Sequence, residues 1–188
     1  MSRTLLSSRL KDLTDRGIVT KYATQGGRHD EYQLTRAGES LRSVVFGMAD
    51  WSQEWLQIEP SLEHLDADHL MWSLRRSARS HPDLPNPFVV HIYLSEQPKK
   101  HQNAWLVFKG DDVDLCIVDN DFDVDVQVEA TTRNLTRFYM GWCTFSEAIE
   151  KKELILRGPR RFTDIAAQWL GRSRLANIQK QPAEFLVS

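Results

Sequence analysis

The chain has 188 residues, 41% of them apolar, with 24 Lys plus Arg against 26 Asp plus Glu and a net charge of −2. That apolar share suffices for the core of one medium domain or two small ones and excludes a disordered chain. The near balance of charge excludes a histone-like or polybasic membrane protein. The charge is unevenly placed: residues 1–43 carry eight Lys/Arg and five Asp/Glu, net +3, and the remainder is net −5, so the two ends face different partners. Cys116 and Cys143 stand far apart, and the sequence shows neither an N-terminal signal pattern nor a long apolar run. These features predict a soluble cytoplasmic protein with no membrane insertion. Six tryptophans point to cavities or interfaces that need flat apolar walls.

Ser2 stands where it caps a helix over residues 3–16, with Leu6, Leu10 and Leu13 on one stripe and Gly17 at the left-handed position after its end. Residues 18–24 and 28–34 read as two strands of a hairpin around Gly26-Gly27. Thr35 then caps a long helix with apolar Leu41, Val44, Val45, Met48, Trp51 and Trp55 at helical spacing, closed by Pro60. Asp66 or Asp68 caps another helix through Leu70, Met71, Trp72 and Leu74 to Arg79, and the proline-rich residues 81–87 break the chain. Runs at 88–94, 104–109 and 113–119 and the alternation Val124, Val126, Val128 predict a largely antiparallel sheet. The remainder reads as helical: a segment with Leu135, Phe138 and Tyr139, another over 145–151, the short apolar stretch Leu154-Ile155-Leu156, and a helix after Gly158-Pro159. The expected fold class is α+β, with a partial winged helix-turn-helix and dimerisation helix over 1–60, an α+β ligand-binding domain over 61–178 and a tail over 179–188.

Helix, glycine-tipped hairpin and long helix is the order of the second half of a winged helix-turn-helix, in which the first of these helices enters the DNA major groove. Opposite the leucine stripe lie Thr4, Ser8, Lys11 and Asp15, with Ser7 nearby. Thr4, Ser7, Ser8 and Lys11 are the candidates to meet base edges or phosphates, with Arg3 near the DNA backbone and Arg9 bracing the helix or meeting a phosphate. Asp12 and Asp15 come late, where an inserted helix has left the groove. Arg28 and His29 beside the two glycines make a thin basic finger suited to a minor groove. A merely solvated helix face carries the same residue types.

Residues 2–13 (Ser-Arg-Thr-Leu-Leu-Ser-Ser-Arg-Leu-Lys-Asp-Leu), then Arg16-Gly17-Ile18-Val19, then Tyr32-Gln33-Leu34-Thr35-Arg36-Ala37-Gly38 resemble the recognition helix, wing entry and Tyr-x-Leu-Thr-x-x-Gly exit of HxlR-type bacterial transcription regulators. Asp50-Trp51-x-x-x-Trp55 resembles the end of the family's terminal helix, which pairs two subunits. The resemblance implies a homodimer on double-stranded DNA, with Leu41, Val44, Val45, Met48, Trp51 and Trp55 as dimerisation residues. The family places two helices before the recognition helix, whereas this sequence starts at its cap. The expectation is that residues upstream of Met1 complete the DNA-binding domain, or that DNA binding has been lost. The family's redox cysteine falls in that missing part, so no thiol sensing carries over.

Further along, Asp66-x-Asp68-x-Leu70-Met71-Trp72, Asn103-Ala104-Trp105-Leu106-Val107, Asp114-Leu115-Cys116, the alternating residues 123–128, Leu135-Thr136-Arg137 with Gly141, and Gly158-Pro159 resemble a sterol-carrier-protein-like domain. That resemblance implies an apolar tunnel for sterols, acyl chains or similar molecules, and hence a ligand-sensing module. Strands apolar on both faces, as at Leu106-Val107-Phe108, indicate a sheet covered on both sides. Trp105, Phe138, Trp142, Phe145, Phe162 and Trp169 are the candidate pocket walls, though each alone is an ordinary core residue. The aspartates from Asp111 to Asp125 lack the glycine and late carboxylate of a calcium loop, since Val124 and Ala130 stand there. With Val124, Val126 and Val128 inward, Asp123, Asp125, Gln127 and Glu129 become a solvated strand face.

The six histidines form no zinc pattern, and neither a Gly-x-Ser-x-Gly elbow nor a phosphate loop occurs. Cys143 reads as a small hydrophobe or a thiol. No cofactor, metal or catalytic set is expected, and the chain is read as no enzyme. The sequence points to a cytoplasmic bacterial regulator whose C-terminal domain binds an apolar effector, coupled through the linker at 57–65. The alternative is an apolar-ligand carrier or sensor that has lost DNA binding.

Overall fold

The structure, a computed structural model, describes residues 3–23, 30–56 and 65–182. The expected cap Ser2, the wing tip at 24–29 with Arg28 and His29, Pro60 and most of the linker lie outside the described residues. The chain divides into two compact units, Met1–Trp55 and Leu56–Ser188.

The first unit runs α1 (Arg3–Asp15), β1 (Val19–Ala23), β2 (Asp30–Leu34) and α2 (Arg36–Trp55). Gly17 ends α1 at φ 69°, the left-handed turn that lets the Ile18 amide donate back to the Leu13 carbonyl at 2.9 Å. The two strands pair antiparallel from Val19 opposite Leu34 to Ala23 opposite Asp30.

The second unit is mixed α+β around a five-stranded sheet in the order β5-β4-β3-β6-β7. Its strands are β3 (Phe88–Leu94), β4 (Asn103–Lys109), β5 (Asp112–Cys116), β6 (Val126–Ala130) and β7 (Leu154–Arg157). Only β3 and β6 run parallel, and the other three pairings are antiparallel. The helices are α3 (Ala67–Ser77), α4 (Thr132–Met140), α5 (Phe145–Glu150), α6 (Arg160–Thr163) and α7 (Ala166–Trp169), followed by a 3-10 turn at Arg174–Asn177. Asp66 settles the choice of cap by accepting the His69 amide at 3.0 Å. Arg75 Nε donates to the Val113 carbonyl at 2.8 Å and ties α3 to the edge strand β5. The main core packs Leu70, Met71 and Leu74 of α3, alternate residues of the strands, and Leu135, Phe138, Phe162 and Trp169. Val89, Trp105 and Val107 form a smaller cluster joined by Cys116 and Phe122.

Four local expectations change. Leu154-Ile155-Leu156 is not part of a helical remainder but belongs to the edge strand β7, which gains its regular shape from pairing with β6; four residues alone carry too little periodicity to show it. The third strand stops at Cys116, leaving Ile117 and Val118 68% and 65% exposed. Val124 precedes β6 and is exposed, and Asp125 is not a solvated face residue: its carboxylate accepts the Val89 amide at 2.8 Å while its own amide donates to the Val89 carbonyl at 3.0 Å. The helix after Gly158-Pro159 is two four-residue pieces, α6 and α7.

Candidate functional site

Two places carry the chemistry, one in each unit. In the first, the Tyr-x-Leu-Thr-x-x-Gly segment joins the three neighbouring elements. The Thr35 hydroxyl donates to the Gly17 carbonyl at 2.6 Å, and its oxygen accepts the Gly38 amide at 3.1 Å, capping α2. The Thr35 amide donates to the Ile18 carbonyl at 3.0 Å. Gly38 is buried, and a Cβ built on it would lie 2.1 Å from the Ile18 carbonyl oxygen. A threonine and a glycine at this spacing therefore lock the end of α1 and the start of β1 against α2. That fixes the attitude of α1 relative to the hairpin.

On α1, Thr4, Ser7, Ser8 and Lys11 are all exposed. Arg3 opens the helix, and Arg28 and His29 fall outside the described residues. The leucine side is exposed as well: Leu5 is 47%, Leu6 45% and Leu13 39% accessible, with only Leu10 half-buried. Lys21 pairs with Asp30 at 2.8 Å across the hairpin, an interaction that raises the Lys21 pKa through its hydrogen bond and charge. On α2, Leu41, Val44, Val45, Met48 and Trp51 are exposed along one stripe and Trp55 is half-buried. Large apolar side chains in such a row form a continuous exposed apolar surface.

In the second unit, the six aromatic candidates do not line one cavity. Phe138 and Trp169 are fully buried and Phe162 nearly so. Phe88 packs edge-on to Phe162 and Trp169 with centroids 5.3 Å away in each case, and the Trp169 indole N–H donates to the Phe162 carbonyl at 2.9 Å. These side chains fill volume. Trp105 sits in the smaller cluster, stacked on His91 at 5.0 Å, and His91 Nε2 is 2.9 Å from Asn103 Oδ1. Trp142 is half-buried.

Phe145 alone of the six lines a groove of about 660 Å³ between α5, β7 and the end of α6. Phe145, Ile149, Leu154, Ile155 and Leu156 make its apolar part, and Ser146, Glu150, Lys152, Thr163 and Asp164 its polar part. The helix α5 beside it is fixed by a capping box, with the Thr144 hydroxyl accepting the Glu147 amide at 3.2 Å and the Glu147 carboxylate accepting the Thr144 amide at 2.8 Å. The bonds that the Glu147 carboxylate accepts from the Thr144 amide and, at 2.9 Å, from the Thr144 hydroxyl hold its carboxyl below its ordinary value. Sequence reading missed most of this groove. The signal available was the apolar triplet 154–156 following Phe145 and Ile149 within one short stretch.

Cys143 is buried, and burial pushes its thiol up, so it stays protonated at neutral pH. Among the described residues, no group of three or more His, Cys, Asp or Glu is placed to hold a metal ion, and no helix is long and apolar enough to cross a membrane.

No curated protein matches the chain. Among solved structures the chain is similar to a UbiJ-SCP2 ubiquinone synthesis protein, at 16% identity over 68% of this chain and 92% of that one with a TM-score of 0.37. It is similar to the apo sterol carrier protein 2 of Yarrowia lipolytica, at 13% identity over 68% and 88% with a TM-score of 0.35. A third likeness, to the stereoselective inverting sec-alkylsulfatase Pisa1 from Pseudomonas sp., has 14% identity and a TM-score of 0.41 over 53% of this chain and 15% of that chain. At the N-terminal end, where Thr35 and Gly38 lock helix to hairpin, residues 1–60 match the model of the HxlR-like helix-turn-helix family.

Proposed function

We propose that this chain is a cytoplasmic bacterial transcription regulator that binds double-stranded DNA through α1 and the hairpin, dimerises along α2 and binds an apolar effector in its second unit. The observation that carries the reading is the match of residues 1–60 to an HxlR-like helix-turn-helix, together with the Thr35 and Gly38 contacts that give its exit motif a structural task. Thr4, Ser7, Ser8 and Lys11 are exposed on α1 as a groove-reading face requires. The exposed stripe of α2 supports a homodimer, in which Leu41, Val44, Val45, Met48, Trp51 and Trp55 of two copies pack together. The groove beside β7 supports the effector site, with Phe145 as the one retained member of the aromatic set. An effector changes DNA affinity only by binding one arrangement of the dimer better than another.

Salt-dependent fluorescence anisotropy against DNA from the chain's own promoter tests this. Saturable, sequence-selective binding is expected, with log affinity falling linearly in log salt. Lys11→Ala is expected to weaken binding at every sequence and reduce the salt slope by about 1, whereas Ser7→Ala or Thr4→Ala shifts sequence preference. An unchanged slope in Lys11→Ala removes α1 from the groove. The second reading, an apolar-ligand carrier without DNA binding, is favoured by the exposure of Leu5, Leu6 and Leu13. Absence of selective DNA binding in both this chain and a version extended upstream in frame is its expected signature.

A further inference from the structure

We propose that the groove beside β7 takes a single-chain amphiphile with a protonated amine head, the alkyl chain lying on the apolar floor and the ammonium at the acidic rim. The proposal rests on the reading of the second unit as an apolar-ligand module and adds the charge class of the ligand.

Three consecutive strand residues, Leu154, Ile155 and Leu156, all line the groove. Side chains alternate between faces along a strand, so three in a row line a space only where it runs along the strand's open edge. The strand β7 is the last in the sheet, paired only with β6, and no backbone group of residues 154–157 bonds to a turn or loop among the described residues. A free edge offers amide donors and carbonyl acceptors alike. The side chains around it therefore decide the sign of the ligand.

Those side chains are Glu150, Asp164 and Lys152, with the hydroxyls of Ser146 and Thr163. None of the three charged groups has an ion-pair or hydrogen-bond partner for its side chain among the described residues. Lys151, Arg160 and Arg161 are near in sequence and line none of the groove; Arg161 is drawn over the Phe162 ring at 4.6 Å. The rim thus presents two unpartnered carboxylates against one ammonium. An alkylammonium brings three donors to this acceptor-rich rim, where a carboxylate head meets two like charges.

Size favours a small molecule over a docked helix. A volume of about 660 Å³ is that of a site for one small ligand, while an amphipathic helix needs a groove several turns long. The apolar residues Phe145, Ile149, Leu154 and Leu156 give an alkyl chain its driving force. Lys152 works against the cation. It stands at φ 56° in a turn set by its amide bond to the Ile149 carbonyl at 3.0 Å and the Glu153 amide bond to the Ala148 carbonyl at 2.8 Å. Asn tolerates that left-handed conformation, so Lys152→Asn removes the charge and keeps the turn.

Isothermal titration of the full chain with octylammonium, octanol and octanoate, each below its micelle concentration, tests the proposal. Octylammonium is expected to bind about tenfold more tightly than octanoate at low salt, with octanol between them. Glu150→Gln and Asp164→Asn each narrow that preference, the double variant abolishes it, and Lys152→Asn widens it. Equal affinity for the three ligands overturns the proposal and leaves the apolar-effector reading standing, whereas no binding of any octyl ligand overturns both. Tighter binding of octanoate, a preference that survives in the Glu150→Gln/Asp164→Asn variant, or binding of a basic amphipathic peptide without octylammonium overturns the proposal.

Discussion

The two units are held together by different means. Among the described residues of the first, Val19 is the one buried apolar side chain, and the helix and hairpin are joined by the Thr35 bonds and the close approach at Gly38. The second buries a continuous cluster from Ala67 to Leu170 with an aromatic centre at Phe88, Phe162 and Trp169. The first unit leaves a leucine side of α1 and an apolar stripe of α2 exposed, while the second unit carries its own core. The contrast is between a first unit with little apolar burial of its own and a second unit with a continuous core.

Matched truncations give the sharpest way to break that contrast. Trp169→Ala removes a fully buried indole and its 2.9 Å bond to the Phe162 carbonyl, and is expected to cost about 3–5 kcal/mol in urea unfolding followed by circular dichroism. Leu13→Ala, at a side chain 39% exposed, is expected to cost under about 1 kcal/mol in the same measurement. Equal losses would mean that α1 is packed as firmly as the sheet core. Next in size is Gly38→Ala, whose new Cβ meets the Ile18 carbonyl oxygen at 2.1 Å. Relieving that overlap is expected to cost about 1–3 kcal/mol, confined to the first unit. In hydrogen exchange the Thr35 and Gly38 amides should lose protection while those of β3 and β4 keep theirs.

A smaller effect belongs to a cap. Thr131 accepts the Asn134 amide at 3.1 Å at the start of α4, so Thr131→Ala is expected to cost about 1 kcal/mol. Because α4 contributes Leu135 and Phe138 to the core, the loss should appear in the global unfolding of the second unit.

What the sequence revealed divides along the same line. Caps, glycine turns and amphipathic stripes are local, so α1, the hairpin, α2 and α3, with its cap Asp66, were legible to within a few residues. The exposed hydroxyls and Lys11 on α1 were legible for the same reason. Edge strand β7 was not, because its regularity comes from β6, a partner about thirty residues away. The groove followed β7 out of sight. Trp169, Phe162 and Phe138 were visible as bulky apolar residues, but whether such residues wall a space or fill it depends on neighbours that sequence does not place, here Phe88 and Phe108. Asp125 misled for a similar reason: alternation put it on an outer face, and its bond to the Val89 amide crosses to another strand.

The smallest expected effect is a pH dependence confined to the second unit. Burial of the Glu96 carboxyl opposes its ionisation, but bonds from the Thr132 hydroxyl and amide and from Gln97 outweigh that, and the group sits below its ordinary value of 4.5. The Thr132 amide donates to Glu96 Oε1 at 2.7 Å, anchoring the first turn of α4 to the end of β3. A carboxyl depressed in the folded state adds stability above its unfolded pKa, and that increment is lost as pH falls through the folded value. The increment should stay under about 1 kcal/mol because the group is largely solvated. Unfolding measured from neutral to acidic pH should therefore show a shallow loss of stability below 4.5 that Glu96→Gln removes. The Thr35 amide in the first unit should show no matching change in exchange protection between wild type and Glu96→Gln; a matching change would show that α4 and the hairpin respond as one body.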